Sequence, residues 1–181
     1  MILNHEKNEM ETVAALILAA ARTAPKAKGI DDIVTALAEP EDREKIAAKM
    51  EELAGMKREK FAFLKRDAGN IRQADALLVI GVKSSGIEGL NCGACGYAEC
   101  SELTEQDKIT YDYNGPICAF KHIDLGIALG AAAAKAKDLC IDNRLMYTVG
   151  IAAKQAGLIE ADVAIGMPLS VSGKNPFFDR K

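Results

Sequence analysis

The chain has 181 residues, a formal net charge of -3, 49% hydrophobic and 27% charged residues, and a pI of about 5.5, enough for one domain with a core of ordinary size. Aromatics are only 5%, tryptophan is absent and alanine is abundant, which favours close-packed helices over a β-sandwich. No basic cluster exceeds Lys57-Arg58-Glu59-Lys60, so no nucleic-acid partner is expected; apolar runs of about ten residues are too short for a membrane span of roughly 18.

The opening Met1-Ile-Leu-Asn-His-Glu-Lys-Asn-Glu is polar and acidic where a secretory signal is basic and then apolar, so a cytoplasmic location is expected. From about Glu11 to Thr23 the chain is nearly all apolar until Pro25, the pattern of a buried helix. Gly29-Ile-Asp-Asp then places acidic caps before a predicted short helix at Ile33–Ala38, which ends ahead of Pro40. Glu41 and Asp42 open a longer helix to about Leu53, with Ile46, Ala47, Met50 and Leu53 on one face. After Gly55 a further helical piece is expected through Arg66.

At Asp75 the pattern changes. Ala-Leu-Leu-Val-Ile-Gly-Val is a short continuous apolar run, as in a strand buried on both faces. A polar stretch with a turn at Asp112-Tyr-Asn-Gly-Pro follows, then an alanine-rich helix from roughly His122 to Leu139. Another helix is predicted over about Arg144–Gln155, closed by Gly157. Ala161-Asp-Val-Ala-Ile-Gly-Met-Pro reads as a second central strand, and an irregular tail follows. This order predicts a mixed α/β or α+β domain.

Between the predicted strand and the alanine-rich helix lies the chemistry. Gly89-Leu-Asn-Cys-Gly-Ala-Cys-Gly-Tyr-Ala-Glu-Cys100 holds three of the five cysteines, and the full spacing is Cys92-x2-Cys95-x4-Cys100-x17-Cys118. Where thiols stay reduced, such clustering points to metal or redox chemistry before disulfides. Four thiolates are the soft, anionic donors that an iron–sulfur cluster needs. Gly93 and Gly96 directly follow the first two cysteines and free the backbone to turn around a cluster. Cys118 precedes a helix whose N-terminal dipole favours negative charge.

A closed zinc site is the competing reading. Zinc sites pair two short C-x2–4-C knuckles; Cys95-x4-Cys100 can stretch to one, but Cys118 stands alone with His122 nearby. Unligated cysteines in a loop are a third. Cys140, at the end of the alanine-rich helix, is read as core packing. Gly81-Val-Lys-Ser-Ser-Gly86 lacks the Lys and Ser/Thr of a P-loop, and His5 and His122 support no hydrolytic triad.

The motif Cys-Gly-Ala-Cys-Gly-Tyr-Ala-Glu-Cys with a distant fourth cysteine resembles the 4Fe-4S module of electron-transport-complex subunits and corrinoid iron–sulfur proteins, CGxCGxxxC. Those proteins often carry proline after the last ligand; here Pro116 precedes Cys118 and Ala119 follows. The resemblance implies one 4Fe-4S cluster held by Cys92, Cys95, Cys100 and Cys118.

The flanks resemble nitroreductases, the flavin-binding α+β family. Ala20-Ala-Arg-Thr-Ala-Pro-Lys-Ala-Lys-Gly is similar to its helix-then-APS segment, Asp124–Ala134 to its central helix, and Ala164-Ile-Gly-Met-Pro to its "iGyP" strand end. The combination of the two resembles the "ferredoxin domain-containing" family of bacteria and archaea. They imply a nitroreductase-like, helix-rich core around a small sheet (residues 1–88 and 119–181), with an iron–sulfur insert at residues 89–118. FMN becomes a possible second cofactor. The family's basic N-terminal segment is missing, so phosphate contacts would fall to Arg22, Lys26, Lys174 and Arg180, which are otherwise ordinary surface charges. A homodimer is implied too, because that fold buries its central helix between two chains.

The expected function is ferredoxin-like electron transfer or a redox role, with an unidentified redox partner protein or small-molecule electron donor. FMN, if bound, would couple one-electron and two-electron chemistry. The alternatives are a non-enzymatic protein with a structural zinc site and an FMN-dependent nitroreductase-like oxidoreductase.

Overall fold

Seven consecutive buried residues, Ala76–Val82, form the central strand β2 in the computed structural model, which describes residues 1–56 and 61–178. β2 pairs antiparallel with β1 (Ile33–Leu37) on one side and with β6 (Val163–Ser170) on the other. The short β5 (Asp142–Asn143) pairs with the end of β6, giving a four-stranded sheet in the order β1-β2-β6-β5.

Successive strand side chains point to opposite faces, and here both faces carry helices. Leu78, Ile80 and Val82 face α1 (Met10–Thr23) and α5 (Ala119–Asp138); Leu77 and Val79 face α2 (Pro40–Met56), α3 (Phe63–Arg72) and α6 (Tyr147–Gln155). A strand walled on both sides has no position for a polar residue, hence its unbroken apolar sequence. The result is a mixed helix-and-sheet fold, as expected.

Glycine sets how closely α6 approaches β6. A Cβ at Gly150 would lie 1.7 Å from the Ala164 carbonyl oxygen, and one at Gly166 would lie 2.1 Å from the Val149 side chain. At the far end of α6, Gly157 adopts φ 71. Leu158 N–H donates to the Ala153 carbonyl and Gly157 N–H to that of Lys154, the closure expected of a glycine just beyond a helix.

Four expectations need correction. Ile33–Ala38, expected as a short helix, holds instead the edge strand β1, Ile33–Leu37. Its first three residues, Ile33, Val34 and Thr35, are β-branched and suit a pleated surface, and the carboxylate of Asp31 accepts from Ile33 N–H and pairs with Arg22 rather than capping a helix. The helix expected to end near Arg66 runs over Phe63–Arg72, because Leu64, Ala68 and Ile71 make one buried stripe. Helix α1 is buried on one face only, through Met10, Ala14, Ile17 and Ala21. Its Leu16 is 51% exposed, as are Ile123 (49%) and Ile127 (40%) on the neighbouring α5. Lastly, Cys140 is exposed, not packed in the core. It takes the left-handed position after α5 (φ 58), where Ile141 N–H donates to Ala136 and Cys140 N–H to Lys137, so the chain reverses and carries its thiol outward.

Residues 83–99 between β2 and α5 form neither helix nor strand. They are followed by α4 (Cys100–Thr104) and a small hairpin of β3 (Ile109–Thr110) and β4 (Asn114–Gly115).

Candidate metal centre

The cysteine segment leaves β2 at Val82 and turns repeatedly through left-handed backbone. Gly89, Asn91, Gly93 and Gly96 have φ of 66, 46, 72 and 90, and Gly96 N–H donates to the Gly93 carbonyl at 2.9 Å. Glycine at 93 and 96 is therefore a backbone requirement of this loop. Cys100 opens α4 in a reciprocal contact: its N–H donates to Asn91 Oδ1 (2.9 Å), and Asn91 N–H donates to its Sγ (3.2 Å). Glu99 and Glu102 complete a capping box around the same turn.

Cys92 is exposed, Cys95 half-buried, and Cys100 and Cys118 buried; none is in a disulfide. Cys118 is the N-cap of α5, its carbonyl accepting from Lys121 N–H. Cys95 lines an open cavity of about 560 Å³ with Tyr111, Tyr113, Ala119 and His122. Cys118 lines a second cavity of about 210 Å³ with Ser84, Leu103 and Lys108, and Pro116 and Ile117 wall both. Among the described residues, no group of three or more His, Cys, Asp or Glu side chains is placed to hold a metal ion. The donor set itself fits an iron–sulfur cluster: four thiols, three of them on or beside a glycine-turned loop that forms neither helix nor strand.

Two sets of contacts tie this region to the sheet. At its outer end, the Asp162 carboxylate accepts from Ser84 N–H (2.7 Å) and Asn114 Nδ2 (2.9 Å) and pairs with Lys108 at 3.3 Å. Burial works against its charge, but Asn114, Ser84 and Lys108 outweigh that and hold its pKa below the ordinary 3.8. The tie is therefore complete above pH 3.8 and lost as pH falls through the lower folded value. Tyr113 donates to the Ala164 carbonyl and stacks edge-on against Tyr147, which bonds Asp112. Acid titration followed by tyrosine fluorescence should thus show the hairpin loosening only below about pH 3.8. Asp162→Asn should remove that step; an unchanged acid transition in the variant would refute the role given to Asp162.

The second set is a charge cluster not singled out in the sequence. Lys121, in the first turn of α5, is 1% exposed and Glu88 2%. The lysine Nζ lies 2.6 Å from Glu88 and 2.8 Å from Asp32. Burial disfavours its charge, yet the two carboxylates prevail and hold its pKa above the ordinary value. A lysine three residues after a cysteine carries no sequence signal, because lysines in helix first turns are usually solvated.

Of the four residues expected to contact FMN phosphate, Arg22 and Lys26 share one carboxylate. Arg22 binds Asp31 (2.8 Å) and Thr35 (3.3 Å), and Lys26 lies 3.6 Å from the same Asp31 and bonds the Arg22 carbonyl. Ile33 aligns with Val82 and Val163 at one end of the sheet. The chain leaves β6 after Ser170, at the sheet's other end, on its way to the exposed Lys174. Arg180 and Lys57–Lys60 lie outside the described residues. Among those described, no helix is long and apolar enough to cross a membrane.

An Archaeoglobus fulgidus protein described as "Uncharacterized protein" is 50% identical to this chain over 183 residues, spanning 99% of this chain and 98% of that protein. Residues 114–180 match the family described as "Uncharacterized protein containing a ferredoxin domain (DUF2148)". Among solved structures, a nitroreductase with bound FMN from Desulfitobacterium hafniense superposes with a TM-score of 0.57 at 16% identity, over 94% of this chain and 83% of that one. An NADPH:FMN oxidoreductase from Vibrio harveyi superposes with a TM-score of 0.56 at 13% identity, over 94% of this chain and 64% of the reductase. The chain thus spans under two thirds of that longer enzyme, and at these identities the likeness is one of fold.

Proposed function

We propose a function from one premise: the chain belongs to the same family as the Archaeoglobus fulgidus protein. The proposal is that it is an iron–sulfur protein, with Cys92, Cys95, Cys100 and Cys118 holding one 4Fe-4S cluster that accepts and passes single electrons. The observation that carries it is the donor set: four unpaired thiols in the order C-x2-C-x4-C-x17-C, the first three on a segment turned by Gly93 and Gly96. The ferredoxin-domain description of the family matched by residues 114–180 agrees with this. The cluster would supply the one-electron redox step. The protein's part is to present the thiolates, aim backbone N–H groups at them and hold the segment to the sheet through Asp162 and Lys121.

A second reading, FMN binding, is favoured by the fold shared with an FMN-bound nitroreductase. Against it, Arg22 and Lys26 are already engaged with Asp31. The visible spectrum of protein purified without oxygen separates the two. A cluster gives brown protein with broad absorption near 400 nm, whereas FMN gives yellow protein with bands at about 370 and 450 nm. Colourless protein carrying zinc would defeat both.

The exposed apolar side chains Leu16 on α1 and Ile123 and Ile127 on α5 support a homodimer through these helices. Sedimentation showing only monomer at micromolar concentration would refute this.

A further inference from the structure

We propose that Lys121 is a positioning residue for the cysteine segment: its ammonium pins Glu88, and with it the chain leading to Cys92 and Cys95, against the helix that Cys118 begins. The consequence for metal binding rests on the cluster reading above; the clamp itself rests on geometry alone. Glu88 lies four residues before Cys92, and Lys121 three residues after Cys118. One ion pair therefore joins the two parts of the chain that must meet if all four thiols are to bind a single group.

A lysine usually buries its stem and keeps its head in water. Here the whole side chain is enclosed, at 1% exposure, with Glu88 at 2%. Such an ammonium is stable only while its carboxylates are in place, and removing one member of a buried pair leaves an uncompensated charge. The segment is the part able to respond. Residues 83–99 form no helix or strand, while Asp32 is anchored where the chain enters β1 and Lys121 sits on a 20-residue helix. Other ties along the segment include hydrogen bonds from Ser84 N–H to Asp162, from Ser85 Oγ to Asp32 (2.7 Å) and from Lys28 Nζ to the Glu88 carbonyl, and, at its start, one from Lys83 N–H to the Asp32 carbonyl and an exposed Lys83–Glu160 ion pair (2.7 Å). Without Lys121, the half-buried Asp32 and the buried Glu88 would face each other as two unneutralised carboxylates. The segment would swing out before the sheet gave way.

The test is amide hydrogen exchange on the full, metal-free chain, comparing peptides within residues 84–99 with peptides from β2 and β6. Lys121→Met should speed exchange in the segment on the order of a hundredfold and leave the sheet within about threefold of wild type. Glu88→Gln keeps the Lys121–Asp32 pair and so guards against loss of the fold; it should speed segment exchange by about tenfold. Adding Glu88→Gln to Lys121→Met should recover part of the protection, because it removes the stranded charge. Reconstitution with iron and sulfide should then load less iron into both single variants, although all four cysteines remain.

Wild-type exchange across residues 84–99 in Glu88→Gln would overturn the clamp, even if Lys121→Met failed to fold. Faster exchange with wild-type iron content would overturn its role in placing the cysteines. If wild-type protein itself takes up no iron, the cluster reading fails, and the exchange result alone decides the clamp.

Discussion

Cys95→Ala is expected to reduce iron per chain to near zero after anaerobic reconstitution, whereas Cys140→Ala leaves it at the wild-type level. Both residues are cysteines outside any disulfide, and both thiols reach solvent in part. They differ in surroundings. Cys95 lies between Gly93 and Gly96, two left-handed glycines, on a segment that also carries Cys92 and Cys100. Cys140 is exposed beyond the end of α5, with the hydrogen bonds of a helix C-cap on its backbone. A cubane with a missing thiolate has an iron open to water and is readily lost, so the effect of Cys95→Ala should be close to all-or-none. Equal iron in the two variants, by colorimetric assay, would show that cysteine position does not matter and would remove the ligand assignment.

Gly150→Ala is expected to lower unfolding free energy by about 3 kcal/mol or more, among the larger effects a single methyl group can have. The added Cβ would lie 1.7 Å from the Ala164 carbonyl oxygen and 2.8 Å from the Ile165 nitrogen. Both are backbone atoms of β6, which is paired to β2 and cannot rotate away as a side chain could. Relief requires α6 to lift from the sheet, opening the core that Val149, Ile151 and Ala152 share with Leu77 and Val79. Gly126 on α5 provides the opposite sign. Nothing lies within 4 Å of its would-be Cβ, so Gly126→Ala should raise stability by roughly 0.5–1 kcal/mol through helix propensity. Urea unfolding checks both, and a Gly150→Ala midpoint within error of wild type would contradict the close packing of α6 on β6.

Much of this fold could be read from the sequence where burial is complete. β2 and β6 show as unbroken apolar runs because helices cover both faces, and α2 shows through the spacing of Ile46, Met50 and Leu53. β1 could not be seen. It is a half-buried edge strand preceded by two aspartates and followed by a proline, the punctuation of a helix, and its identity depends on pairing with a strand about 45 residues later. Helix α1 looked fully buried because its exposed face is also apolar, a pattern that sequence periodicity cannot distinguish from a core helix. At the site, the glycine turns at 93 and 96 were legible because a backbone constraint leaves its mark on residue type. The Lys121–Glu88–Asp32 cluster was not, since it joins three distant segments through residues that are elsewhere ordinary surface charges.

The account depends most on the identity of what the four thiols bind. Quantifying iron, acid-labile sulfide and zinc in protein purified and kept without oxygen tests this directly. About four irons and four sulfides per chain, with no zinc, are predicted from the stoichiometry of a cubane. One zinc per chain without sulfide, or no metal after reconstitution, would contradict it.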